Sequence, residues 1–233
     1  MKSPTLLLVL AVTSALGQGS FQNLDFESAA IDQGSGPAFV AVSDALPGWA
    51  AYYGTNQVTQ VRFNDACIGS TCADLVGTNG VAVFGYIPIE GGFSLLLQGG
   101  QSGSGGNLYQ TDASIRQTGL VPASAQSVLF KAHHDPAGTL SLSVAGIDIP
   151  FLALSNGANY TVYGGDISAF AGQTVILEFS VSRFPGFDYS NWLIDSIQFS
   201  AQQIPEPNIL TLFALGTVLL AWRFLRQTRH QLL

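Results

Sequence analysis

Apolar and polar residues alternate one by one through much of this chain, and a period of two is the signature of half-buried strands. In Leu140-Ser141-Leu142-Ser143-Val144 the apolar side chains fall on one face and the serines on the other. Val175, Leu177, Phe179 and Val181 repeat the pattern, with Glu178 and Ser180 turned outward. Val128, Phe130 and Ala132 alternate with Leu129, Lys131 and His133. Further candidate strands are Asn23–Glu27, Phe39–Ser43, Val58–Phe63, Val81–Phe84, Phe93–Gln98, Ala113–Thr118, Ile147–Phe151, Asn159–Tyr163 and Trp192–Phe199. Between Gln18 and Gln203 no segment has the apolar spacing of an amphipathic helix. About a dozen strands separated by Gly, Asn, Asp and Pro predict an all-β fold, a two-sheet antiparallel sandwich over residues 18–203. No internal repeat or second domain boundary is visible. The one low-complexity stretch, residues 99–106, offers no side chain to bury and reads as a mobile loop between strands. It lacks the helix and Lys-Ser/Thr that a phosphate-cradling loop requires.

The two ends carry a different signal. Lys2, the apolar run Leu6–Val12 and the small residues Ala15 and Gly17 form the three regions of a secretory signal peptide, residues 1–17. At the other end, Pro205-Glu206-Pro207 leads into the uncharged stretch Ile209–Trp222, followed by Arg223, Arg226 and Arg229. As a helix those fourteen residues cover about 21 Å against a hydrocarbon core of about 30 Å, which is short for a span. The rigid motif before them and the basic cluster after them nevertheless favour a membrane segment with its arginines in the cytoplasm. This arrangement of Pro-Glu-Pro, short hydrophobic helix and terminal arginines over residues 204–233 resembles the PEP-CTERM sorting signal of Gram-negative bacteria. The resemblance implies an exosortase as processing partner, a tether in the inner membrane, and an association with exopolysaccharide at the cell surface or in the extracellular matrix.

Charge narrows the partners. The 233-residue chain has 8 Lys+Arg against 15 Asp+Glu, and Gln18–Gln203 holds 4 against 14, a net −10. Such a segment repels phosphate backbones, so nucleic acid is excluded. Cys67 and Cys72 are the only cysteines, and in an exported protein they are expected to form a disulfide pinning a surface hairpin. His133-His134-Asp135 invites a metal, but adjacent residues on a strand point to opposite faces, so the two imidazoles are not expected to share one ion. No Gly-x-Ser-x-Gly elbow is present, and most of the acids sit in turns where their side-chain chemistry belongs. Nothing singles out a carboxylate pair for glycoside hydrolysis, and the chain is expected not to be an enzyme. Asn159-Tyr160-Thr161 matches a glycosylation sequon, a eukaryotic reading at odds with the sorting signal.

A second resemblance spans most of the exported region. Asn23-Leu24-Asp25-Phe26-Glu27, the turn Pro47-Gly48-Trp49, Ser94–Gln98, Ile115-Arg116-Gln117 and Ile194–Phe199 follow the order of landmarks in galactose-binding-like jelly rolls of carbohydrate-binding modules. That resemblance implies a structural calcium held by acids of the first and last strands, here Glu27 and Asp195. From its strand position Asp195 shares a face with Leu193, Ile197 and Phe199, so it is expected to be partly buried. Backbone N–H donors, or a pairing with Arg183 or Arg116, are the alternative means of satisfying it. Sugar binding would use exposed rings. The stretch around Phe187, Asp188, Tyr189 and Asn191, rich in aromatic, glycine and polar residues, is the candidate ligand surface, whereas Trp49 and Trp192 are expected in the core. The sequence thus predicts an exported, non-enzymatic surface or matrix protein. A carbohydrate-binding module acting on exopolysaccharide is the second reading, and a glycoside-active enzyme the third.

Overall fold

The computed structural model describes residues 20–65, 67–80, 85–104, 107–134, 138–183 and 186–204. The signal peptide, the sorting residues Pro205, Glu206, Pro207, Arg223, Arg226 and Arg229, the expected helix Ile209–Trp222 and the expected strand Val81–Phe84 lie outside the described residues. Among the described residues no helix is long and apolar enough to cross a membrane.

The chain opens with β1 (Ala38–Ala41), a single helical turn α1 (Val42–Ala45), β2 (Ala50–Tyr53), β3 (Asn56–Val58), β4 (Gln60–Phe63) and β5 (Cys72–Gly77). It continues through β6 (Phe93–Ser104), β7 (Asn107–Thr111), β8 (Ala113–Leu120), β9 (Ser127–His134), β10 (Thr139–Val144) and β11 (Ile147–Asp148). The last strands are β12 (Phe151–Asn156), β13 (Thr161–Asp166), β14 (Thr174–Ser182) and β15 (Ser190–Ser200). One sheet has the order β1-β4-β5-β6-β15-β9-β13-β12, with β7 paired to the far half of β6; the other runs β11-β10-β14-β8-β2-β3. Between these strands every ladder is antiparallel except β4–β5. From β8 to β15 the chain changes sheet at five of seven steps, the hairpins β10–β11 and β12–β13 excepted, which is how a jelly roll wraps its two sheets around one core.

The alternation read from the sequence builds that core. Leu142 and Val144 from β10, Leu177 and Phe179 from β14, and Ile115 from β8 meet Leu95, Leu97, Phe130, Trp192 and Ile194 of the larger sheet. The Phe130 ring stands edge-on to Phe179 at 5.2 Å across the gap between sheets and at 5.3 Å from Phe151. Each such buried side chain stabilises by about 1.5–3 kcal/mol. The core runs from Phe26 to Ile197, so residues 20–204 close a core of their own.

Four features depart from the sequence reading. Asn23–Glu27 is a turn, because Asn23 and Phe26 take φ of 49° and 61°; Phe26 is still fully buried, 6.1 Å from Trp49. Residues 99–104 continue β6 as strand, pairing with β15 at Gly99 and with β7 from Gly100 onward. β5 is buried on both faces, so it has no alternation to read. β15 carries a bulge at Ser196 (φ 49°), between the Asp195 and Gln198 pairings with β9. The bulge turns Ile197 and Phe199 toward the core, leaving Leu193 and Asp195 on the outer face.

That outer face is partly sealed. Val76, Leu96 and Leu193 form a second apolar cluster with Tyr86, and Ile89 packs against it. Cys67 and Cys72 are bonded as expected, with Cα atoms 6.0 Å apart, but at 2% and 1% exposure they are buried beside β6 rather than pinning a surface hairpin. The Thr71 and Gln101 backbones hydrogen-bond this loop to β6. The double replacement Cys67→Ala/Cys72→Ala is expected to remove about 2 kcal/mol, the loop being short, and to lower the melting temperature by roughly 4–8 °C. Thermal melts with and without reductant check this. A wild-type melt unmoved by reductant that reaches the buried sulfurs, or an unchanged double variant, would count against it.

Candidate functional site

Two carboxylates hold one backbone segment against the outer face of the larger sheet. Asp195 is 1% exposed; its Oδ2 accepts the Glu90 N–H at 3.0 Å and the Ser94 hydroxyl at 2.6 Å, and its Oδ1 accepts the Ser196 N–H at 2.5 Å. Burial pushes its pKa up to about 6, against the pull of those three donors; the Glu27 charge adds to the rise. Glu27 accepts the Gly92 N–H at 2.9 Å and the Phe93 N–H at 3.0 Å. Of the alternatives the sequence left open for Asp195, backbone donors satisfy it, and Arg116 is engaged elsewhere with Glu178 at 2.9 Å. The residues do not fit the calcium that the resemblance implied. That ion takes six to eight oxygen ligands, whereas the oxygens of Glu27 and Asp195 accept N–H and O–H donors that a cation would have to displace. Among the described residues no three His, Cys, Asp or Glu gather as a metal cluster.

The same network continues sideways. Glu90 accepts the Ser196 hydroxyl at 2.7 Å and forms an ion pair with Lys131. The Lys131 hydrogen bond holds the Glu90 carboxyl below its ordinary range, and Glu90 in turn raises the Lys131 ammonium. The Lys131 ammonium stands 5.2 Å from the centre of the Tyr160 ring, a cation–π contact.

Tyr160 belongs to an open cavity of about 280 Å³ where the end of β9 meets the β12–β13 turn. His133, His134, Asn156, Asn159 and Thr161 line it with Tyr160. The two imidazoles have different ring neighbours: His134 lies 4.6 Å from the Trp192 ring and His133 lies 6.3 Å from Tyr86. The Tyr160 ring lies directly against Gly157, where a Cβ would come within 2.4 Å of it. Among the described residues the lining offers amides, imidazoles, the phenols of Tyr160 and Tyr163 and a hydroxyl, with no carboxylate. The sequence placed Asn159-Tyr160-Thr161 in an expected strand, Asn159–Tyr163, and in a sequon; the strand begins only at Thr161, which leaves Tyr160 in the turn before it.

The aromatic surface expected around residues 187–191 is divided by β15. Phe187 is 46% exposed, Asp188 is exposed and Tyr189 half-buried. Asn191 is 1% exposed, and its amide donates to the Tyr86 hydroxyl at 3.2 Å. It is therefore not available to a ligand, because strand alternation carries it under Tyr86. Trp49 and Trp192 are core residues, their indole N–H groups donating to the Asn23 and Gly138 carbonyls.

One buried acid was not foreseen. Asp74 of β5 is fully buried, neither of its oxygens completes a hydrogen bond, and burial pushes its pKa well above the ordinary range. The doubly buried strand that carries it had no pattern to reveal it.

No known protein family and no curated protein matches this chain. Solved structures give distant likenesses. TmCBM61 in complex with β-1,4-galactotriose has 13% identity and a TM-score of 0.44, covering 79% of this chain and 99% of that one. The family 11 carbohydrate-binding module from Clostridium thermocellum, in complex with a β-1,3-1,4-mixed-linked tetrasaccharide, has 9% identity and a TM-score of 0.38 over 73% and 98%. The enzymatically active domain of bacteriophage CBA120 tailspike protein 4 has 13% identity and a TM-score of 0.36, over 74% of this chain but 21% of that one.

Proposed function

We propose that this chain is an exported bacterial surface or matrix protein whose β-sandwich binds extracellular carbohydrate without acting on it. The observation that carries the binding reading is the cavity of His133, His134, Asn156, Asn159 and Tyr160. Amides, imidazoles and a phenol both donate and accept hydrogen bonds, as sugar hydroxyls do. Among the described residues that line it there is no carboxylate. Tyr86 and Ile89 cover part of the outer face, whereas this end of the sandwich is open.

Export and tethering rest on the sequence: signal peptide, Pro205-Glu206-Pro207 motif, apolar segment and terminal arginines. A disulfide between Cys67 and Cys72 is at home outside the cytoplasm. On this reading an exosortase cuts near Pro205–Pro207 and frees the sandwich from the inner membrane. Mass spectrometry of the protein from hosts with and without the exosortase is expected to find a species ending near that motif only in the former.

The binding reading is tested on a glycan array with residues 18–204, beside a Tyr160→Ala variant. Binding that Tyr160→Ala weakens by at least about tenfold, or about 1.4 kcal/mol, is expected. An array with no bound glycan ends the carbohydrate reading.

A further inference from the structure

The ion pair between Lys131 and Glu90 has no part in the core, yet it ends on the wall of the cavity. From that position we infer that Lys131, locked by Glu90, is a positioning residue for Tyr160, and that the cavity takes an uncharged, hydroxyl-rich saccharide in preference to an anionic one. This rests on the carbohydrate reading and specifies its ligand.

The positioning argument is geometric. Tyr160 precedes β13 in the turn that closes the cavity, a place where a side chain has few fixed neighbours. Here its ring lies against the bare Cα of Gly157 and within 5.2 Å of the Lys131 ammonium. Lys131 cannot swing away easily, because its ammonium is bound to Glu90. Glu90 is held in turn by the Ser196 hydroxyl at 2.7 Å, and its backbone N–H by Asp195 at 3.0 Å. A chain of four contacts therefore runs from a buried carboxylate to the cavity wall, and the phenol is held in place before a ligand arrives. A pre-organised hydrogen-bonding group loses less entropy on binding than a mobile one.

The preference for a neutral ligand follows from where the cations are. Three of the four basic side chains between Gln18 and Gln203 are held in ion pairs, Arg62 with Asp65, Arg116 with Glu178 and Lys131 with Glu90. The ammonium beside the cavity is thus neutralised by its own acid. The domain's net −10 adds long-range repulsion of a polyanion.

Isothermal titration of residues 18–204 with neutral glucan and galactan oligosaccharides, and with oligo-alginate, tests both parts. Neutral binding without measurable alginate binding is expected. Glu90→Gln and Lys131→Met are each expected to weaken the neutral ligand about tenfold, the scale of a lost cation–π contact and its positioning effect. Lys131→Arg, which keeps charge and ring contact, is expected to restore affinity to within about threefold, a rescue that generic destabilisation would not give. Melting temperatures for every variant separate loss of fold from loss of position, and Tyr160→Phe reads the hydroxyl alone. Neutral binding unchanged in Glu90→Gln and Lys131→Met would overturn the positioning role while leaving the carbohydrate reading intact. Alginate bound as tightly as the neutral sugars overturns the ligand class. An absence of binding to every saccharide removes the carbohydrate reading itself.

Discussion

Gly99→Val is expected to abolish the stable fold. A Cβ at Gly99 would sit 2.5 Å from the Val181 carbonyl oxygen and 2.8 Å from the Arg183 nitrogen, both backbone atoms at the end of β14. On its other flank β6 passes equally close to the disulfide loop, a Cβ at Gly100 meeting the Gly69 carbonyl at 2.5 Å. Neither neighbour is a flexible side-chain tip that can rotate aside. The two sheets would have to part where β6 of the larger sheet packs against the end of β14, opening the Ser190–Gly99 pairing beside Trp192. The loss should exceed about 4 kcal/mol, beyond ordinary overpacking and comparable to most of a domain's net stability. Gly36→Val, at an exposed position with nothing within 4 Å, is the control and is expected to stay within about 0.5 kcal/mol of wild type. Soluble yield and thermal melts of the two variants decide the matter. A Gly99→Val domain melting within a few degrees of wild type would show that β6 and β14 are not packed as described.

The same glycines explain where the sequence was legible and where it was not. Strands with one wet face wrote themselves into the chain: β10 and β14 alternate as burial requires, from Leu140 to Val144 and from Val175 to Val181. A glycine-rich run gives no such pattern. Residues 99–104 have the composition of a loop, and only the proximity of Val181 and Gly69 reveals that small residues stand there because two other backbones leave no room. β5 was hidden for the opposite reason: the Tyr86 segment covers its outer side, so both faces are apolar or buried. The bulge at Ser196 could not be read from spacing, and it moved Ile197 and Phe199 to the face opposite Asp195. Asp195 is expected partly buried from a face shared with Leu193, Ile197 and Phe199; it is buried, but of those three only Leu193 stays on its side of the bulge. The cavity around Tyr160 was invisible because it joins β9 to a turn about 25 residues further along the chain, a closure that only the tertiary fold supplies.

Buried acids without matching cations give the largest solution effect, a domain whose stability falls as the pH rises from mildly acidic to mildly basic values. Asp195 goes from an ordinary 3.8 to about 6 on folding. Between those values the folded state holds a proton that the unfolded chain has already released, so raising the pH favours unfolding. Roughly two units correspond to about 3 kcal/mol, lost between about pH 4 and pH 6 and constant above that. Asp74, fully buried and without a completed hydrogen bond, is likewise pushed well above the ordinary range by burial, so its contribution acts in the same direction. Glu90 runs the other way, lowered by its hydrogen bond from Lys131, but it is exposed, so solvent screening keeps its contribution small. Mutual repulsion among the acids of a net −10 domain acts in the same direction as Asp74 and Asp195. The melting temperature is therefore expected to be highest near pH 4 and to drop by roughly 6–12 °C by pH 8. Asp74→Asn separates the two acids. An amide keeps the shape and offers an oxygen to the nearby Asp65 and Asn64 backbone but carries no charge to desolvate. It should stabilise the domain by about 1–3 kcal/mol where the acid would otherwise be ionised, and so gain more at pH 8 than at pH 5. Asp195→Asn should destabilise at both pH values, because an amide cannot accept all three of the Glu90, Ser94 and Ser196 bonds. A wild-type melting temperature that rises from pH 5 to pH 8, or an Asp74→Asn gain equal at both, would mean that Asp74 is ionised and satisfied in the folded protein.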